Sequence, residues 1–167
     1  GLKKFPSSGP LYSEYGELLW SSKEYTPAIE LWEKGIQLDP SYGGNYYNAA
    51  LHYFYTKDKV WCLIYGEIFV NMESLSQRGL AMKDQLLRAY KEKLFADPDL
   101  MKGENKSEFA KAYLQTMSKQ SSLPNKGINV ETLTMIRTRF ILDWYANYAS
   151  KFPLRLFDYQ RQLLEEG

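Results

Sequence analysis

The feature that most constrains this chain is a size pattern that returns after 34 residues. From Leu11 to Pro40 the sequence reads LYSEYGELLWSSKEYTPAIELWEKGIQLDP. Tyr12, Tyr15, Gly16 and Leu19 stand at i, i+3, i+4 and i+7, which is one face of a helix. After a break at Ser21–Tyr25, Ala28, Ile29, Trp32, Gly35 and Ile36 repeat that spacing on a second helix. Thr26 is expected to cap it, with Pro27 at the first helical position, and Pro40 ends the unit. Thirty-four residues on, Tyr46, Ala49, Ala50 and Tyr53 take the first helix, and Cys62, Gly66 and Phe69 the second. Small residues recur where two helices must approach: Gly16 and Ala28, then Ala50 and Cys62. The run at 60–72 is apolar on nearly every side and could be read as a buried strand. The register makes it a helix covered by neighbours on both sides.

These positions resemble a tetratricopeptide repeat, matched at Tyr12, Gly16, Ala28, Trp32 and Pro40 and again at Tyr46, Ala50, Tyr53 and Cys62. The departures are Tyr15, Leu19, Lys23 in place of the turn glycine, and Gly35 in the first unit. In the second they are Lys59, Gly66, Phe69 and Ser74. The resemblance implies an all-α superhelix of helical hairpins, with repeats at about 10–41 and 44–75. Two repeats are fewer than such stacks usually need, so residues 76–167 are expected to be packing and capping helices of one domain spanning 1–167, about seven or eight helices in all.

Those later helices are read at 78–95, 107–119, 130–150 and from Pro153 onward, separated by loops at 96–106 and 120–129. The first has Leu80, Leu87, Tyr90 and Leu94 on one stripe, a weak third match because Tyr90 lies 37 residues after Tyr53. The helix at 107–119 turns Phe109, Ala112, Tyr113 and Met117 inward. Asn129 is expected to cap a long helix with Ile136, Phe140, Trp144 and Tyr148 on its stripe.

Composition narrows the chemistry. The 21 basic and 20 acidic residues nearly cancel, which argues against a broad nucleic-acid-binding face. Cys62 is the only cysteine and His52 the only histidine, so neither a disulfide framework nor a His/Cys metal site is expected, nor is a cofactor or a catalytic set. Both residues are read as structural. Glu14/Glu17 and Glu30/Glu33 are carboxylate pairs at i, i+3, read as solvated faces rather than an acid–base pair. Glu67 stands alone in an apolar run and is expected on the side of its helix that meets solvent, the alternative being burial. Asp97-Pro-Asp99 with Gly103 departs from a calcium loop at Met101 and Lys102, and Asn105-Lys106-Ser107 fits a glycosylation acceptor. No apolar run reaches the roughly 20 residues of a membrane span, and no apolar leader precedes the first helix.

The resemblance also implies where a partner would sit. In that family the inner groove is lined by first-helix residues one turn apart, here Ser13, Glu17 and Trp20, then Tyr47, Leu51 and Phe54. The clamp that some members use for a peptide C-terminal carboxylate needs Lys and Asn at such positions, and this chain has neither there. The expected role is a non-catalytic module that binds a protein or peptide, unless the chain's own C-terminal helices fill the groove. The alternatives are a small-molecule or carbohydrate binder using the same aromatic surface, and RNA binding through Lys83, Arg88, Lys91, Lys93, Arg137 and Arg139. The whole chain is also similar to a group of bacterial tetratricopeptide proteins, often exported, with segments like Leu63–Phe69 and Leu156–Leu164. That likeness implies no activity and favours export slightly.

Overall fold

A computed structural model of the chain describes residues 1–102 and 106–166. The described residues are all-α, with nine α-helices and no strand. They fall into two compact units, Gly1–Leu86 and Leu87–Gly167.

The first unit contains α1 (Gly9–Ser21), α2 (Tyr25–Leu38), α3 (Gly43–Phe54), α4 (Lys59–Met72) and most of α5 (Gln77–Arg88). The 34-residue step is visible in the backbone. Helices α1, α3 and α5 begin at 9, 43 and 77, and α2 and α4 run 25–38 and 59–72. Even a side-chain hydrogen bond repeats. Tyr12 donates its hydroxyl to the Pro6 carbonyl at 3.0 Å, and Tyr46 donates to the Pro40 carbonyl at 3.2 Å. Successive helices α1 to α4 pack on one another, and α1 also meets α3.

Small residues set these approaches. A Cβ built on Gly16 would lie 2.2 Å from Nε1 of Trp32, and one on Gly35 would lie 2.4 Å from the Asn45 amide. Trp32 is buried and donates its Nε1–H to the Ser13 carbonyl at 3.2 Å, tying α2 to α1. Asn45, fully buried, donates to the Gly9 carbonyl at 3.1 Å and ties α3 to α1.

Several readings are corrected. Thr26 does not cap α2: Glu24 holds the cap position without a side-chain bond. The turn is closed by backbone instead, with Lys23 N–H donating to Trp20 O and Glu24 N–H to Leu19 O. This is a Schellman closure, and it requires the left-handed φ of 65° that Lys23 adopts. Tyr15 sits on the expected packing face of α1 but is 47% exposed. Helix α5, the third first-helix, starts in full register, and it buries Gly79, Met82 and Leu86 while Leu80 faces solvent. Met82 and Leu86 lie over Gly66 of α4. Glu67 of α4 is buried rather than solvated; the side of α4 that stays partly open carries Trp61, Tyr65 and Ile68 instead.

The second unit holds a π-helical turn (Ala89–Leu94), α6 (Pro98–Met101), α7 (Glu108–Ser118), a 3-10 turn (Leu123–Lys126), α8 (Val130–Asn147) and α9 (Arg155–Glu166). Asn129 caps α8 with a full capping box, its side chain accepting from Thr132 N–H while Thr132 Oγ1 accepts from Asn129 N–H. α9 begins two residues later than Pro153. The core is aromatic. Phe140 and Trp144 of α8 stack at 5.7 Å, and Tyr113 of α7 and Phe157 of α9 close on Phe140 at 4.8 and 5.4 Å. Among the described residues no helix is long and apolar enough to cross a membrane.

Candidate functional site

The contact of α1 with α3 leaves a groove of about 290 Å³ lined by Glu17, Trp20, Trp32, Asn48, Leu51 and His52. Its floor follows from the packing just described. Trp32 is pinned from below by its bond to Ser13, so one edge of the indole ring is fixed at the base.

A polar frame crosses the groove. Asn48 of α3 donates to Glu17 Oε1 at 2.8 Å and to Ser13 Oγ at 3.1 Å. Ser13 Oγ in turn donates to Glu17 Oε1 at 3.1 Å. Both bonds converge on one carboxylate oxygen and so fix the rotamer of an otherwise exposed side chain. Trp20 lies one turn further along α1, 37% exposed, with the Tyr25 ring edge-on at 5.4 Å. Leu51 and His52 form the α3 wall and are half-buried. Burial holds the His52 imidazole below its ordinary value, against the opposing pull of Glu33. Burial thus disfavours the charged form of the ring.

The six expected lining residues separate here. Glu17, Trp20 and Leu51 line the groove together. Ser13 is buried beneath it and acts through its bonds to Glu17 and Asn48. Tyr47 packs on Phe69 at 5.0 Å, and the Arg78 guanidinium lies over both rings at 5.7 and 5.5 Å, held by Glu73 at 2.6 Å. Phe54 is only 4% exposed. It stands 34 residues after Trp20 but has a different fate, because the Lys59 ammonium folds back over its ring at 5.7 Å. Lys59 also donates to the Phe54 carbonyl at 2.5 Å and to the Thr56 carbonyl, closing the end of α3. Asn48, Trp32 and His52 are lining residues that the register does not pick out. Asn48 and His52 are one turn apart on the face next to Leu51, and that i, i+4 spacing was the available signal.

Other polar groups are engaged elsewhere. Glu33 accepts hydrogen bonds from Tyr53 at 2.9 Å and Tyr65 at 3.1 Å, so it belongs to the core edge rather than to a solvated face. Burial first, and then the Glu33 carboxylate, raise both phenols well above the ordinary tyrosine range. Burial pushes the Cys62 thiol up to about 12, which keeps it protonated. Asp97 caps α6, accepting from Asp99 N–H at 2.9 Å. Gly103 and Asn105, of the calcium-loop and glycosylation readings, lie outside the described residues. Among the described residues no three His, Cys, Asp or Glu side chains gather as a metal site would require. Of the basic residues, Lys83 donates to the Ser74 carbonyl at 2.8 Å and Arg88 pairs with Glu92 at 3.3 Å. Compared with protein-family models, curated proteins and solved structures, the chain matches none.

Proposed function

We propose that this chain is a tetratricopeptide-type interaction module. It binds an extended peptide segment of a partner protein in the groove between α1 and α3 and catalyses no reaction. The observation that carries this reading is the groove itself. An exposed indole and an aliphatic wall flank a carboxylate whose rotamer is already fixed, at the place where a stack of 34-residue hairpins presents its first helices. Such a site gives a peptide apolar contact area and a fixed polar anchor with little side-chain ordering left to offset on binding.

The test is selection of random linear peptides on the whole chain, followed by calorimetry with the enriched sequences. Trp20→Ala combined with Leu51→Ala is expected to weaken binding at least ~30-fold, the scale of losing an interface anchor, with far-UV circular dichroism unchanged. Selection that yields no binder, or binders indifferent to the double substitution, overturns the proposal.

A further inference from the structure

We propose that the α1–α3 groove selects a basic side chain, with arginine preferred to lysine, next to an apolar residue of the bound peptide. This rests on the peptide-binding reading above and names the chemistry of its ligand. Three observations converge on it.

First, the groove contains one formal charge, and it is negative. Glu17 spends Oε1 on Ser13 and Asn48, and no hydrogen bond or ion pair engages Oε2 among the described residues. The two donors hold the carboxylate in place without neutralising it, since both are uncharged. Second, Trp20 stands at i+3 from Glu17, one turn along the same face of α1. Its ring is exposed, and no Lys or Arg of the described residues lies over it, whereas Phe5, Tyr47, Phe54, Phe69, Tyr145 and Phe152 each carry a cation of this chain. Third, the lining holds no Lys or Arg, and burial disfavours the charged form of His52, the only other titratable group on it.

A planar guanidinium fits this arrangement best. It can donate to the open Oε2 of Glu17 while its face lies on the indole of Trp20, combining a charge-assisted hydrogen bond with a cation–π contact. An ammonium can do each of these but is a compact point charge without a flat face to stack. Leu51, on the α3 wall of the groove, then receives the neighbouring apolar residue.

The experiment uses two displayed libraries of random linear peptides, identical except that one omits arginine and lysine, selected in parallel on the whole chain. The expected result is enrichment from the complete library of peptides with arginine beside an apolar residue. Calorimetry on those peptides should show roughly tenfold weaker binding when arginine is replaced by citrulline, which keeps the shape and removes the charge. Glu17→Gln keeps the Oε1 acceptor and should abolish the arginine-over-citrulline difference, and raising the salt concentration should shrink it. If both libraries yield groove binders of equal affinity, or if Glu17→Gln leaves the difference intact, this inference is overturned and the peptide-binding reading stands. If neither library yields a binder that Trp20→Ala weakens, both are overturned.

Discussion

Replacing Gly16 with alanine adds one methyl group and should cost more stability than helix propensity alone returns. The new Cβ would lie 2.2, 2.6 and 2.7 Å from three atoms of the Trp32 indole. That ring is rigid and cannot bend a flexible tip away. It is also buried, and its Nε1–H is committed to the Ser13 carbonyl at 3.2 Å. Overpacking of this kind costs about 1–3 kcal/mol. Retreat of the indole would strand a buried donor and acceptor, adding about 1–3 kcal/mol. Alanine returns about 0.5–1 kcal/mol of helix propensity. Midway through these ranges the net is a destabilisation of about 3 kcal/mol. Because the chain has two compact units, amide hydrogen exchange of the slowest amides in α1–α4 is the suitable assay: it reads the first unit by itself. Exchange should quicken by at least about thirtyfold. In a Trp32→Leu background the same substitution should cost nothing or stabilise slightly, since the clash partner is gone. Unchanged or slower exchange for Gly16→Ala in the original background would refute the claim that this glycine sets the α1–α2 approach.

Two further outcomes follow from the same geometry. Lys23→Gly should stabilise the first unit by up to about 1 kcal/mol in the same exchange assay, because a left-handed φ of 65° strains a lysine and not a glycine. His52 should make stability fall with acidity. Its folded value lies below the unfolded one, so its contribution is present above the unfolded value near 6.5 and is lost as pH falls through the folded value. Thermal melts from pH 7.5 to 5 should show a steeper decline for the natural chain than for His52→Gln.

The repeat was legible because it is written in residue size. Gly16, Trp32, Gly35 and Ala50 stand where backbones or large rings must pass closely, and such requirements survive in a single sequence. The third first-helix is hard to see in the sequence because its aromatic, Tyr90, lies three positions out of the 34-residue register. The helix keeps its start in register at Gln77 but buries Met82 and Leu86 in place of an aromatic. The Thr26 cap failed for a different reason: a backbone closure at Lys23 does the work, and such closures leave only a weak trace when glycine is replaced. The site was half legible. Register alone places Trp20 and Phe54 as equivalents, but Lys59 and Arg78, both outside the matched positions, cover Phe54 and Tyr47. The Glu17–Asn48 bond spans 31 residues, so it exists only once α1 and α3 are side by side.

The most direct test of the central claim, that the α1–α3 face receives a partner, is amide and indole chemical-shift mapping of the whole chain titrated with a selected peptide. The account predicts saturable shifts at Glu17, the Trp20 indole N–H, the Asn48 side-chain amide, Leu51 and His52. Shifts confined instead to the second unit, for example around the groove of about 220 Å³ lined by Arg137, Ile141 and Gln160 between α8 and α9, would contradict it.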